Sequence, residues 1–288
     1  MQRLNDLEML PGWPDHLTVV IQELGLPEEI YSISELKNRR RLIAGALLLV
    51  AAALGGLYIY VQQIENSILE IIACISMAIA GLSLVGVARS ERGLWVLQYP
   101  HGLLRWQNNA LISFNWDEVV CLQLTGVTHC GPFQGEADAN GEPRSAWIPV
   151  DRSVSALVGP SMLLVRRDGG LAIFPSSLNN FATLVKVAQQ QTFQRLWPKH
   201  LEQFRRKGKV ELGEMTIRRR GVQSTTSEID WNRIREVLIC GGNFMIQDKN
   251  HHRPWGIVPL ERILNPHVLM AFIAMGISPR TERPTATR

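Results

Sequence analysis

Two long apolar runs constrain this chain more than any other feature. Residues 42–61 are twenty residues without a charge, and residues 71–88 add eighteen more. At about 1.5 Å per residue, a helix of twenty residues matches the roughly 30 Å hydrocarbon core of a bilayer. A pair of buried helices in a soluble core is the alternative, but soluble helices rarely stay apolar on every face for this length. The runs therefore predict a transmembrane helical hairpin at 42–88.

The charges around the runs predict the orientation of the hairpin. Lys and Arg precede the first run and follow the second, whereas the link between the runs, residues 62–67, carries Glu65 and no Lys or Arg. By the positive-inside rule, both termini are then cytoplasmic. Residues 1–36 carry seven carboxylates and a single Arg, which does not fit a cleavable signal peptide. We expect a protein of the inner (plasma) membrane with two spans.

The residues inside the runs bear on helix packing and on transport. Ala52 with Gly56, and Ser76 with Ala80, have the spacing that lets two helices approach closely, although small residues are also common in spans for no such reason. Apart from Glu70 at one edge, neither run contains Asp, Glu, Lys, Arg or His. A proton relay or ion path would lack the groups that carry it, so transport by the hairpin alone is not expected.

The chain after Arg92 changes from helical to alternating periodicity. Short apolar runs between 94 and 124 predict an antiparallel meander, and Asp168-Gly169-Gly170 predicts a tight turn between two further strands. A helix is predicted from near Asn179, and Pro198 is expected to kink or restart it. Strands followed by a helix indicate an α+β domain.

This order of strands and helix returns in shorter form near the C-terminus. Strands are predicted between 210 and 258, and a helix follows with Asn265 as its N-cap. Ile229-Asp-Trp231 echoes Phe114-Asn-Trp116, and each Trp lies at a strand end where it can fill a core. The repeat predicts two related small domains in tandem.

Short motifs resemble those of an uncharacterised bacterial family. They are Leu26-Pro-Glu-Glu-Ile-Tyr31, Gly102-Leu103 with Trp116-Asp-Glu-Val119, Gly221 with Ile229-Asp-Trp231, and Asn265-Pro-His-Val268-Leu. That family consists of two-span membrane proteins whose cytosolic domains are similar to the pleckstrin-homology (PH) barrel. The resemblance covers most of the chain from about Leu26 and implies no activity, catalytic residue or ligand residue. The long segment between Leu124 and Ser161 departs from the family pattern.

The pattern and the resemblance together predict an α+β membrane protein, in which the transmembrane hairpin carries two tandem PH-like small barrels, each closed by a C-terminal helix. Five regions are expected. They are an acidic cytoplasmic segment with a basic flank at 1–41, the hairpin at 42–88, a first PH-like domain at 93–207 with a long loop at 126–160, a second, shorter PH-like domain at 208–278, and a flexible tail at 279–288.

The sequence carries no signature of a catalytic or metal site. The GxGxxG, GxxxxGK[ST], GxSxG and HExxH motifs are absent in their required contexts, and the four cysteines form no CxxC pair. We therefore predict no enzyme, no cofactor and no metal. An enzyme with an unrecognised site is a third alternative to the binding functions considered next.

Nine basic residues lie between Arg195 and Arg220, against three carboxylates. In a chain held at the membrane, such a stretch can lie on anionic lipid headgroups. A solvated helix face is the alternative, and nucleic-acid binding fits the charge but lacks a recognised module. The residues predicted to face lipid are Arg195, Lys199, Arg205, Arg206, Lys207 and Lys209.

The loop at 126–160 is rich in Gly and Pro and is either disordered or a partner-binding segment that uses Trp147 and Ile148. The predicted function is a non-enzymatic, membrane-anchored binding or scaffolding protein. Its predicted partners are the bilayer, anionic headgroups and an unidentified protein, and no nucleic acid. The alternative is a membrane-associated sensor or accessory subunit that responds to lipid or a small ligand.

Overall fold

The computed structural model describes residues 19, 21, 24–33, 35–62, 68–108, 110–127, 134–137, 143–150, 160–225, 227–251 and 253–277. The chain is α+β, with a hairpin of two long apolar helices and several antiparallel sheets. Its contacts divide it into two compact units, Met1–Phe114 with Ser177–Asn179, and Asn115–Ser176 with Asn180–Arg288. The predicted boundary between residues 207 and 208 lies inside the second unit, and the division into five regions stays a prediction.

The first unit contains the helical hairpin, formed by α1 (Glu35–Gln62) and α2 (Ile68–Ser90). Both helices are long and apolar enough to cross a membrane. They approach closely at two glycines, because a Cβ at Gly45 would lie 2.9 Å from the carbonyl oxygen of Gly81. The predicted contact at Gly56 is not formed, since nothing lies within 4 Å of a Cβ built there.

A four-stranded antiparallel sheet accompanies the hairpin in the first unit. Its strands, in spatial order, are β1 (Glu29–Ser32), β2 (Trp95–Tyr99), β3 (Gly102–Gln107) and β4 (Ala110–Asn115). The strand β1 precedes the hairpin and pairs with β2, which follows it. Tyr31 of β1 is buried and donates a hydrogen bond to Gln98 Oε1 at 2.7 Å, and burial raises the pKa of this phenol. The chain thus enters and leaves the hairpin from one sheet.

The described part of the second unit contains four antiparallel sheets. They are β5 (Val119–Thr125) with β8 (Ser161–Arg166) and β9 (Leu171–Pro175); β6 (Gln134–Ala137) with β7 (Pro143–Trp147); β10 (Lys209–Leu212) with β11 (Met215–Arg218), β12 (Gly221–Gln223) and β13 (Glu228–Asp230); and β14 (Ile234–Cys240) with β15 (Asn243–Asp248) and β16 (Pro254–Pro259). The predicted strands are therefore present, but the predicted meander is formed only in part, because β5 pairs with β8 and not with β4. In the part of the chain that the structure describes, no sheet closes into a barrel, and the PH-like fold stays a prediction.

Two helices cover these sheets, α3 (Phe181–Lys207) and α4 (Pro266–Ile277). Of the two predicted effects of Pro198, a kink or a restart, the restart is wrong, because α3 continues through the proline. Aromatic packing just before the proline supports the helix: Trp197 stacks on Phe193 at 5.4 Å and contacts Phe272 of α4 at 4.6 Å, between ring centroids. This burial offsets the hydrogen bond that proline removes.

Asn265 joins α4 to the edge of β5. Its side-chain oxygen accepts a hydrogen bond from Leu122 N–H at 2.8 Å, and its own N–H donates to the Leu122 carbonyl at 2.8 Å. Its side-chain amide also donates to the carbonyl of Val120 at 3.3 Å. Asn265 therefore lies in front of α4 as predicted, but its side chain bonds to a strand rather than to the first turn of the helix.

The two echoed tryptophans differ in burial. Trp116 is 1% exposed, which confirms its prediction as a core residue. Trp231 is only half-buried, in the short 3-10 turn Trp231–Arg233 between β13 and β14. Its ring lies against α4, where a Cβ at Gly276 would come within 2.7 Å of the indole.

Candidate functional site

A basic cavity lies in the second unit at the end of α3. Its volume is about 510 Å³. Five cationic side chains and one carboxylate line it, with Gly208 between the two lysines. They are Lys207, Lys209, Arg218, Arg219, Arg220 and Glu228. Such a lining suits an anion with several oxygen atoms.

The end of α3 places the two lysines beside each other. Gly208 has a φ of 69°, and its N–H donates to the carbonyl of Phe204 at 2.8 Å, which ends the helix in a left-handed turn. Lys209 then begins β10 and lies directly opposite Arg218 of β11. Two like charges facing each other across an antiparallel pair destabilise the sheet. The residues at this cavity therefore lower the stability of the sheet.

Arg219 lies across the end of the helix. A Cβ at residue 208 would lie 3.0 Å from Arg219 Nε, so glycine leaves room for the guanidinium. Its Nη2 donates to the carbonyl of Arg205 at 3.4 Å. A positive charge at this position is favoured by the helix dipole, which is negative at the C-terminal end.

Trp231 fixes the turn that carries Arg219 and Arg220. Its backbone N–H donates to the Arg220 carbonyl at 3.0 Å, and its indole N–H donates to the Arg219 carbonyl at 3.2 Å. The next residue, Gly221, must lack a side chain, because a Cβ there would lie 1.8 Å from the carbonyl oxygen of Ile229. The backbone of the basic turn is therefore held in place before any ligand binds.

The positive charge of the cavity is only partly neutralised. Lys209 bonds Glu211 at 2.8 Å, and this bond, with the charges of Lys209 and Lys207, lowers the pKa of the Glu211 carboxyl. Lys207, Arg218 and Arg220 make no ion pair with any residue that the structure describes. The cavity therefore keeps an excess of positive charge.

The other predicted lipid-facing residues lie elsewhere on α3. Arg195 bonds Asp117 at 2.6 Å and Gln191 at 2.9 Å, so its guanidinium is already occupied. It precedes Lys207 by about 18 Å along the helix. Lys199 is exposed, and Arg206 is exposed with Glu202 at 4.0 Å.

Of the six predicted residues, the structure therefore brings Lys207 and Lys209 to the cavity, while Arg205 supplies a carbonyl to its edge. The arginines at 218–220 belong to the same basic run, but they were not among the residues predicted to face lipid. The sequence signal was the run itself. The run alone does not indicate the turn at Gly208 or the β10–β11 register, and these two features bring the ends of the run together.

The predicted partner residues Trp147 and Ile148 have different environments. Ile148 is 1% exposed, and its backbone N–H and carbonyl both bond the side-chain amide of Gln189, at 2.8 and 3.0 Å. Trp147 is half-buried, with Lys186 Nζ 4.7 Å from its ring centroid. Trp147 alone of the pair keeps accessible surface. Residues 128–133, 138–142 and 151–159 of the predicted loop lie outside the described residues.

A buried polar cluster joins α3 and α4. Thr192 Oγ1 lies 3.1 Å from His267 Nε2 and donates to the Ala188 carbonyl at 2.7 Å, so the histidine is the donor in the first contact. Burial, together with a smaller effect of the neighbouring His200, lowers the pKa of His267 to about 3. His267 is therefore neutral. Among the described residues, no group of three or more His, Cys, Asp or Glu could hold a metal ion.

Comparison with known proteins found one match, which covers part of the chain. Residues 152–282 match the model of a family of unknown function, DUF6585. No match was found among curated proteins or among solved structures. The matched residues include α3, α4 and the basic cavity, and they exclude the two apolar helices. The match is consistent with the predicted resemblance to an uncharacterised family.

Proposed function

We propose that this protein is a membrane-anchored, non-enzymatic binding protein whose basic cavity binds the phosphate groups of anionic lipids. The hairpin crosses the inner (plasma) membrane twice, and both termini are cytoplasmic. The second unit then meets the cytoplasmic leaflet, which carries the anionic lipids. The proposal retains the predicted scaffolding role. It also retains the PH-like fold that was predicted for two segments, one in which strands are followed by α3 and one in which strands are followed by α4.

The uncompensated charge of the cavity is the observation that carries this proposal. Lys207, Arg218 and Arg220 have no carboxylate partner among the described residues, and Lys209 faces Arg218 across the sheet. An isolated domain gains nothing from this arrangement, because the like charges repel each other. A phosphate group between them would remove the repulsion and form charge-assisted hydrogen bonds.

The sheet of the first unit supports the proposed topology. Because β1 precedes the hairpin and pairs with β2 after it, both flanks of the hairpin lie on one side. Arg39, Arg40, Arg89 and Arg92 are exposed at this end of the helices. By the positive-inside rule, this side is the cytoplasm.

Charge neutralisation in the full chain tests the proposal. The variant R218Q/R220Q removes two charges from the cavity, and R235Q/R253Q removes two exposed charges from other parts of the second unit. Each basic residue near an anionic leaflet contributes about 1 kcal/mol, so the cavity variant should weaken docking about thirty-fold. The measurement is hydrogen–deuterium exchange of amides 207–221 in nanodiscs with and without phosphatidylglycerol.

We expect phosphatidylglycerol to slow this exchange in the natural chain and in R235Q/R253Q, and added salt to reverse the slowing. Headgroup binding would be contradicted if amides 207–221 exchanged equally slowly in phosphatidylcholine nanodiscs, or if the two variants showed the same exchange. Protein recognition at Trp147 would then be the better hypothesis.

A further inference from the structure

A second cavity lies in the first unit, where the two apolar helices end. Its volume is about 460 Å³, and its lining includes Glu35, Asn38, Arg39 and Arg92. The candidate spans are Asn38–Val61 and Ile68–Ser90, so the cavity adjoins the same end of both. When the hairpin crosses a bilayer, this cavity lies at the level of the lipid headgroups.

Two arginines, Arg39 and Arg92, line this cavity. Arg39 and Arg92 make no ion pair with any residue that the structure describes. Their neighbour Arg41, by contrast, bonds Glu91 at 2.6 Å, and this ion pair joins the end of α2 to the start of α1. Two guanidinium groups that line one cavity suit the binding of a phosphate.

The same cavity also offers hydrogen-bond acceptors. Asn38 Oδ1 is buried and has no hydrogen-bond partner among the described residues. The carboxylate of Glu35 lines the cavity without an ion pair in that part of the chain. A buried acceptor without a donor is destabilising, and a ligand that brings an N–H group would satisfy it. The site therefore suits a group with a phosphate at one end and a donor at the other.

The apolar part of the lining indicates a lipid. Leu42 lies one helical turn beyond Asn38, in the direction of the span, and Leu94 and Trp95 supply further apolar surface. The cavity thus has a polar end and an apolar end at the level of the lipid headgroups. This arrangement matches the junction between the headgroup of a lipid and its acyl chains. A free phosphate would leave the apolar surface unused.

We propose that this cavity binds the phosphoethanolamine headgroup of a membrane phospholipid. The phosphate lies between Arg39 and Arg92, and the primary ammonium donates to Glu35 and to Asn38 Oδ1. A choline headgroup has no N–H to donate, and a glycerol headgroup brings no positive charge to Glu35. This inference rests on the proposed insertion of the hairpin.

Lipid retention by the full chain tests the inference. Protein is extracted from nanodiscs that hold equal amounts of phosphatidylethanolamine, phosphatidylcholine and phosphatidylglycerol, and the retained lipid is identified by native mass spectrometry. We expect the natural chain to retain phosphatidylethanolamine, and R39Q/R92Q to retain at least about tenfold less. The control R40Q/R89Q removes the same charge from the same helix ends, outside the cavity lining, and should retain it.

A second variant keeps the test valid if R39Q/R92Q folds poorly. E35Q leaves both arginines in place and should reduce the preference for phosphatidylethanolamine over phosphatidylglycerol about tenfold. Equal retention by R39Q/R92Q and R40Q/R89Q, or an unchanged preference in E35Q, overturns the proposal. Binding of O-phosphoethanolamine or inorganic phosphate as tight as that of short-chain phosphatidylethanolamine overturns the lipid assignment.

Two further measurements separate this inference from the proposed function. R218Q/R220Q should retain phosphatidylethanolamine, because its changes lie in the other cavity. Release of the chain from membranes by alkaline carbonate would instead contradict insertion itself, and with it the premise of both proposals. Retention of the chain in the membrane without retained phosphatidylethanolamine contradicts the headgroup site alone.

Discussion

At the scale of single residues, buried polar groups fix how α4 packs in the second unit. Asn265 bonds the edge of β5, and two residues later His267 bonds Thr192 of α3. The Nδ1 atoms of His267 and His200 are buried and have no hydrogen-bond partner among the described residues. Both histidines are therefore neutral in the fold, and protonating either of them opposes it.

This burial predicts a pH-dependent stability. Because the pKa of His267 is about 3 in the fold and about 6.5 in the unfolded chain, the unfolded chain binds more protons below pH 6.5. The free energy of unfolding should therefore fall by about 1.4 kcal/mol for each unit by which the pH is lowered between about 6.5 and 3. Thermal unfolding at pH 7.5 and at pH 5 measures this change in stability. H267Q should lose part of this slope, and H251Q, at an exposed histidine, should keep it.

At the scale of helices and strands, the hairpin depends on the close approach of α1 and α2. A Cβ at Gly81 would lie 2.8 Å from the carbonyl oxygen of Gly45, so neither position tolerates a side chain unless the helices separate. Gly56 and Gly86 belong to the same two helices, and nothing lies within 4 Å of a Cβ at either. Packing, rather than a hydrophobic driving force, holds helices together in lipid.

This contrast predicts the outcome of a leucine scan. G45L and G81L should weaken the helix pair by about 1–3 kcal/mol, the usual cost of overpacking, whereas G56L and G86L should have little effect. Thermal aggregation of the full chain in a mild detergent measures the difference. Similar melting temperatures for all four variants would show that the helices do not depend on this crossing.

The elements differ in how far the sequence predicts them. The hairpin is predictable because a charge-free run of twenty residues has few alternatives in water. The strand β1 was missed, since its four residues, Glu29–Ser32, show no apolar alternation and pair with β2 across the whole hairpin. The sequence predicts the basic run but not the cavity, because charge density is local, whereas the pairing of Lys209 with Arg218 depends on strand register.

At the scale of the whole molecule, the sequence predicts a topology that a reporter can test. A reporter active only outside the cytoplasm should work when inserted at Asn66 and fail when fused after Arg288. The physical reason is that basic flanks stay on the cytoplasmic side, and the link between the two runs carries no Lys or Arg. Alkaline phosphatase activity in intact cells is the measurement, and the reverse pattern would contradict the proposed two-span topology.

The bonds between Asn265 and β5 also have a consequence for synthesis. Asn265 follows Leu122 by 143 residues, so the ribosome completes β5 long before the residue that covers its edge exists. An uncovered strand edge is a template for strands of other chains, and contacts of such long sequence separation form slowly. Nascent chains that lie close together would therefore be exposed to mispairing throughout this interval. A chain truncated before Asn265 would keep that edge open, and we expect it to aggregate.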